Sequence, residues 1–133
     1  MELDRIPDDV GVILVDHGSK YAAANELLEE VAARYAEATG AAIVEPAHME
    51  LAEPTLFQAF ERCVTRGAAS VVVHPYFLAP GRHSTTDIPR MAREAAAHFP
   101  GTPCTVTAPL GLDPGMLGVI HRRVLESLSQ APA

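Results

Sequence analysis

Basic residues are scarce in this 133-residue chain: ten Lys and Arg stand against seventeen Asp and Glu, and the formal net charge is −7. Proteins that bind nucleic acid or anionic membranes through electrostatics carry a basic patch. The chain also has no apolar run of the ~20 residues that a transmembrane helix needs. We therefore expect neither nucleic acid nor a membrane among its partners.

Cysteine is also scarce, since the chain has only Cys63 and Cys104, and these do not form a CxxC pair. Free cysteine often behaves as a small hydrophobic residue, so we predict that both lie in or near the core. The first nine residues, MELDRIPDD, are charged and lack the apolar segment of a signal peptide. These features predict a protein of the reducing cytoplasm.

Several motifs of catalysis and nucleotide binding are missing as well. The glycines follow neither the GxGxxG pattern of dinucleotide-binding folds nor the pattern of a P-loop. Ser19, in the segment DHGS, lacks the GxSxG setting of a nucleophile elbow. The sequence therefore gives little support to nucleotide binding or serine-hydrolase chemistry.

The chain does contain a regular alternation of strand and helix patterns. Apolar runs rich in β-branched residues predict strands at 11–16, 42–47, 69–77 and 102–107. Amphipathic patterns predict helices at 25–39, 54–67 and 87–98, the third capped by Thr86 or Asp87, and a last helix from 113 onwards. In the last helix we expect inward-facing Leu117, Ile120, Val124 and Leu128. Four successive βα units predict an α/β fold, with a four-stranded parallel sheet and helices on both faces.

Three of the predicted strands are followed by residues that can bind metal. His17 follows the first strand, Glu50 and Glu53 follow the second, and His83 follows the third. The carboxyl ends of parallel strands meet at one edge of the sheet, where ligands bind in such folds. Imidazole and carboxylate together suit a borderline divalent metal such as Fe, Co, Ni or Zn. Taken singly, each residue could instead be an ordinary loop histidine or a solvated glutamate.

The other four histidines have weaker claims to a site. His98 and His121 fall on predicted helices and are expected at the surface. His74 lies within the apolar third strand, so we expect it in or near the core. His48 lies close to the candidate site, and its role is left open.

Three segments give the chain a likeness to a known family. They are VDHGSK at 15–20, MELAEPTL at 49–56 and PYFLAPGRHSTTDIP at 75–89. With these segments the chain resembles the small class II tetrapyrrole chelatases, that is, the sirohydrochlorin cobalt-, nickel- and ferrochelatases of the short CbiX and SirB type. The resemblance implies a single three-layer chelatase-like (flavodoxin-like) domain over 1–133. It also implies an enzyme that inserts Co²⁺, Ni²⁺ or Fe²⁺ into sirohydrochlorin during cobalamin or sirohaem biosynthesis.

The resemblance also implies which residues act. His17 and His83 would be catalytic and would bind the metal, and Glu50 would be an additional ligand. The predicted contacts with the macrocycle are Ser19, Glu53, Leu78, Ala79, Pro80, Gly81, Arg82 and His83. The metal would be a substrate, no cofactor would be permanently bound, and chains of this length would form homodimers.

The chain departs from the family at three positions. Lys20 stands where arginine is common, His48 where an aromatic residue is frequent, and His74 where an aliphatic one is usual. These departures leave the choice of metal open. The main alternative function is a non-catalytic carrier of metal or tetrapyrrole that uses the same site. A metal-assisted hydrolase has less support, because the sequence has no further Asp or His cluster of the two-metal type.

Overall fold

Four parallel strands form the centre of the structure, a computed structural model that describes residues 3–132 except for the side chain of Ser84. The strands are β1 Val10–Asp16, β2 Ile43–His48, β3 Ser70–Pro75 and β4 Cys104–Val106. Their order across the sheet is β2-β1-β3-β4, and each neighbouring pair is parallel. The predicted α/β fold with a four-stranded parallel sheet is confirmed.

Four helices connect or follow the strands, as the sequence predicts. They are α1 Ala22–Thr39, α2 Leu56–Thr65, α3 Ile88–Ala97 and α4 Pro114–Leu128. A π-helical turn, His83–Asp87, leads directly into α3. Helix α2 begins with a capping box, in which the side chains of Thr55 and Gln58 each accept a hydrogen bond from the other residue's backbone N–H.

The main core lies between one face of the sheet and the helices α2 and α3. Ile13 and Val15 of β1 pack there with Phe60 of α2 and Ile88 of α3, and all four side chains are fully buried. Cys63 belongs to this core, as predicted, and burial raises the pKa of its thiol to about 12. Cys104 is partly buried at the margin of the same core.

The opposite face of the sheet is covered by α1, whose Leu28 and Ala32 pack on Val12 and Leu14 of β1. Helix α4 adds no buried residue to this face, since all of its residues are exposed except the partly buried Met116. The prediction that Leu117, Ile120, Val124 and Leu128 point into the core of the same chain is therefore wrong. The physical reason lies in the segment before α4, whose hydrogen bonds to the loop after β3 set where the helix begins.

Between residues 3 and 132, no helix is both long enough and apolar enough to cross a bilayer.

Gly11 gives a test of packing in the main core. A Cβ atom at this position in β1 would lie 3.0 Å from both Cβ and Sγ of Cys63 and 3.2 Å from Cβ of Ala68. We expect Gly11→Ala to lower the free energy of unfolding by about 1–3 kcal/mol, because a packed core resists an added methyl group. Urea denaturation followed by circular dichroism measures this change.

Gly101→Ala is the matched control, because a Cβ added there would meet no described atom within 4 Å beyond its own chain neighbours. Its free energy of unfolding should stay within about 0.5 kcal/mol of wild type. Equal stability of the two variants would contradict the tight packing described around Gly11.

Candidate metal centre

The candidate site begins where β1 and β2 end side by side. Asp16 is the register partner of His48, so the residues that follow these two strands emerge together. The pairing continues beyond the strands, since the N–H of Met49 donates to the carbonyl of Asp16 (2.9 Å) and that of Glu50 to the carbonyl of His17 (3.1 Å). Parallel pairing thus brings His17 and Glu50 together from positions 33 residues apart in the sequence.

The side chains of His17 and Glu50 face each other, with His17 Nε2 3.1 Å from Glu50 Oε1. The other ring nitrogen, Nδ1, lies 3.4 Å from the carbonyl oxygen of Gly18. As it stands, the contact requires a proton on Nε2 that donates to the carboxylate, and a metal ion bound between the two atoms would replace that proton. Two metal–ligand bonds of about 2.1 Å at an angle of about 90–110° span about 3.0–3.4 Å. The observed separation therefore suits two adjacent ligands of one metal ion.

His83 lies beside this pair, and its ring centroid is 5.0 Å from that of His17 in an edge-to-face arrangement. Its Nδ1 is 3.0 Å from Oδ2 of Asp87, one turn further along. A histidine that donates Nδ1–H to a carboxylate keeps Nε2 free, which is the usual arrangement around metal-binding imidazoles. Short π-helical segments such as this one are frequent at functional sites.

Asp87 is the residue whose role was missed at the level of the sequence. Its position before Pro89 suggested a helix cap, but its side chain makes no capping hydrogen bond and pairs with His83 instead. The four-residue spacing of His83 and Asp87 is the signal that could have indicated this pair, since such residues share a face of a helix.

A second histidine–carboxylate pair lies directly behind the site. The Nδ1 atom of His48, whose side chain is fully buried, lies 2.6 Å from Oδ1 of Asp16. Its Nε2 atom has no hydrogen-bond partner among the residues that the structure describes. The pair connects the last residues of β1 and β2 and thereby supports the backbone that carries His17 and Glu50.

The remaining histidines lie away from this edge. His74 is hydrogen-bonded to Thr107 (2.7 Å) on the α1 side of the sheet, and burial lowers its pKa. His98 packs edge-on against Phe57, with ring centroids 5.1 Å apart. His121 is exposed on α4.

The residues predicted to contact the macrocycle differ in exposure and in local hydrogen bonding. Glu53 and the segment 78–83, which connects β3 to the π-helical turn, are exposed. Ser19 is engaged locally: its Oγ accepts a hydrogen bond from the N–H of Tyr21 (3.0 Å), and its backbone pairs with the side chain of Asn25. The hydroxyl of Ser19 still has a proton to donate.

The structure therefore brings together some of the predicted ligands more closely than others. His17 and Glu50 are within direct contact, and the ring of His83 lies against that of His17. Within residues 3–132, however, no group of three or more His, Cys, Asp or Glu is arranged to hold one ion. The side chains of His17, Glu50 and His83 are 42%, 57% and 52% exposed, so the site is open to solvent.

Asp16 gives a test of the support behind the site. Asp16→Ala would leave the buried imidazole of His48 without its partner, so we expect the free energy of unfolding to fall by about 1–3 kcal/mol. Asp16→Asn keeps an acceptor oxygen at the same place and should lower the free energy of unfolding clearly less. Urea denaturation of the two variants measures the difference, and equal losses would show that the hydrogen bond contributes nothing specific.

Known proteins are similar to this chain in both sequence and fold. The family model described as CbiX matches residues 11–127. The chloroplastic sirohydrochlorin ferrochelatase of Arabidopsis thaliana is 50% identical over 124 residues, which cover 93% of this chain and 55% of that protein. The sirohydrochlorin cobaltochelatase of Methanopyrus kandleri is 32% identical over 141 residues, covering 91% of this chain and 99% of that protein.

The fold of this chain is also similar to that of a solved structure. The sirohydrochlorin chelatase SirB from Bacillus subtilis subspecies spizizenii, in complex with cobalt, matches with a TM-score of 0.77 at 27% identity, over 89% of this chain and 50% of that one. The chain thus spans about half the length of the Arabidopsis and Bacillus proteins and nearly all of the Methanopyrus protein. The family suggested by the three sequence segments is confirmed, and the chain belongs to the CbiX family.

Proposed function

We propose that this protein is a sirohydrochlorin chelatase that inserts Co²⁺, Ni²⁺ or Fe²⁺ into a tetrapyrrole macrocycle. The observation that carries the proposal is the 3.1 Å approach of His17 Nε2 to Glu50 Oε1 beside the ring of His83. The names of the relatives support it, because both are sirohydrochlorin chelatases, one for iron and one for cobalt.

The reaction exchanges one divalent metal ion for two pyrrole N–H protons. His17 and Glu50 would hold the incoming ion, since a nitrogen and an oxygen donor suit these metals. His83 would act as third donor or as proton acceptor, because a neutral imidazole can do either near neutral pH. Asp87 would orient that imidazole through the hydrogen bond to Nδ1.

The openness of the site suits a metal that must be passed on. Few protein ligands leave coordination positions for water and then for the macrocycle nitrogens. We propose that the macrocycle lies over this edge of the sheet against Glu53, the Ser19 hydroxyl and the segment 78–83. Arg82 and Lys20 would attract its peripheral carboxylates.

We further propose that the protein works as a homodimer in a reducing compartment such as the cytoplasm. The two free cysteines suit that compartment. A carrier that binds metal or tetrapyrrole without turnover is the second candidate, and the half-exposed ligands favour it because they also permit release of an unreacted ion.

His17 and His83 provide the direct test of the reaction. Wild type, incubated with sirohydrochlorin and Co²⁺, Ni²⁺ or Fe²⁺, should change the absorption spectrum faster than the spontaneous reaction. We expect His17→Ala and His83→Ala each to lose about 100-fold or more of this rate, the scale of a lost proton-transfer or ligand group. His98→Gln removes an imidazole outside the site and should retain the rate.

Two outcomes would contradict the proposal. Stoichiometric binding of metal or tetrapyrrole without catalysed insertion would favour the carrier. Full activity of both alanine variants would show that insertion occurs without the proposed ligands.

Asp87 gives a separate test, in which metal binding is measured without sirohydrochlorin. We expect Asp87→Ala to weaken Co²⁺ binding by about 10–100-fold, because the imidazole of His83 loses the partner that orients it. Glu94→Ala removes an exposed carboxylate of α3 and is the control. Calorimetric titration measures both affinities, and an unchanged affinity of Asp87→Ala would exclude a supporting role for this carboxylate.

A further inference from the structure

The His17 turn, residues 17–19, packs backbone against backbone on the segment after β2. The N–H of Glu50 donates to the carbonyl of His17 (3.1 Å). The carbonyl of Glu50 lies against Gly18, where an added Cβ atom would overlap the carbonyl oxygen and lie 3.0 Å from the carbonyl carbon. The same Cβ atom would lie 3.2 Å from Cβ of His48. Only a residue without a side chain therefore fits between the two segments at position 18.

Gly18 and Leu51 have backbone conformations that few residues adopt. The φ angle of Gly18 is +93°, in the left-handed region that glycine enters freely. Leu51, which follows Glu50, has a φ angle of 68°, a strained value for a residue with a large side chain. Such conformations persist only where the surrounding structure imposes them. The backbone is therefore held in one shape on both sides of the His17–Glu50 contact.

Asn25 ties the same turn to helix α1. Its Nδ2 donates to the carbonyl of Ser19 (2.8 Å), and its Oδ1 accepts a hydrogen bond from the N–H of Ser19 (3.0 Å). The carboxamide thus satisfies both backbone groups of one residue. Asparagine favours a helix less than alanine does, so its role at this position is the pairing with Ser19. Because Leu28 of the next turn is buried against the sheet, α1 gives the His17 turn a fixed support.

These backbone contacts matter because the side chains of the pair are not held by packing. His17 and Glu50 are each about half exposed, so few neighbouring atoms restrict their side chains. The fold can hold them in place only through the backbone that carries them. A metal ion that binds to ligands already in position avoids part of the entropy cost of ordering them.

We propose that Gly18 and Asn25 are positioning residues of the metal centre. Gly18 permits the close approach of the two segments, and Asn25 keeps the His17 turn from moving away. Together they hold His17 Nε2 and Glu50 Oε1 3.1 Å apart, which is the spacing of adjacent ligands of one ion. The inference rests on the proposed function, since it takes His17 and Glu50 as ligands, and it adds what sets their separation.

Gly18→Ala can be compared with the same change at a glycine of nearly the same conformation. Gly67 has a φ angle of +97°, but a Cβ atom added there would meet no described atom within 4 Å beyond its chain neighbours. Both variants should be less stable than wild type, because alanine is strained at such angles. Only Gly18→Ala should weaken Co²⁺ binding, by about 10–100-fold, the usual effect of changing a group that orients a ligand. Calorimetric titration without sirohydrochlorin measures the affinities, and urea denaturation measures the stabilities.

Asn25→Ala tests the second contact without weakening the helix. Alanine is the better helix former, so α1 should be retained. Co²⁺ binding should again weaken by about 10–100-fold, because the His17 turn loses its support. Glu26→Ala, at the exposed next position of α1, is the matched control and should change the affinity little at physiological salt. Circular dichroism checks the helix content of both variants.

The absorption spectrum of bound Co²⁺ separates positioning from a general loss of stability. At saturating Co²⁺, the visible bands depend on the number and geometry of the ligands. We expect Gly18→Ala and Asn25→Ala to change these bands in the direction of Glu50→Ala, which removes one proposed ligand. Gly67→Ala, although destabilised, should give the spectrum of wild type.

The outcomes distinguish this inference from the proposed function. A wild type that binds no Co²⁺ would overturn both. A wild type that binds Co²⁺, with unchanged affinity and spectrum in Gly18→Ala and Asn25→Ala, would overturn the positioning role alone. If Gly18→Ala fails to fold, Asn25→Ala decides by the same two readouts, because its change leaves the helix intact.

Discussion

The parallel pairing of β1 with β2 is the constraint on which the candidate site depends. The backbone hydrogen bonds between β1 and β2 continue into the residues that follow the two strands. His17 and Glu50 therefore lie side by side at the carboxyl end of the sheet. A shift of one residue in this register would send alternate side chains to the opposite face. The buried Asp16–His48 hydrogen bond makes such a shift costly, because it would separate a paired buried imidazole from its acceptor.

The sequence was sufficient to predict features that depend on local pattern and topology. Apolar runs and helical periodicity indicated every strand and α-helix, and the rule for carboxyl ends of parallel strands placed His17, Glu50 and His83 at one edge. Features that depend on which partner a particular side chain contacts were harder to predict. The sequence around Asp87 is compatible both with a helix cap and with a hydrogen bond to His83, so it could not decide between them.

Helix α4 illustrates a second limit of sequence patterns. Its apolar residues recur at helical spacing and correctly indicate a helix, but periodicity carries no information about which surface they pack against. The position of α4 depends on the segment before it, which is hydrogen-bonded to Phe77 and Leu78. These hydrogen bonds join backbone groups, so the residue types in the sequence do not reveal them. The amphipathic pattern therefore predicts the helix correctly, but the burial that it also suggests does not occur within the described residues.

The proposed donor set of His17, Glu50 and His83 contains nitrogen and oxygen but no sulfur, and this would affect competition among metals. Sites of this type bind divalent first-row ions in an order that rises from Fe²⁺ through Co²⁺ and Ni²⁺ to Cu²⁺. Half-exposed side chains impose little geometric selection against copper. Which ion occupies such a site in a cell is then governed by the free concentration of each ion. Under the proposed function, the same chain would therefore yield different products in cells with different metal homeostasis.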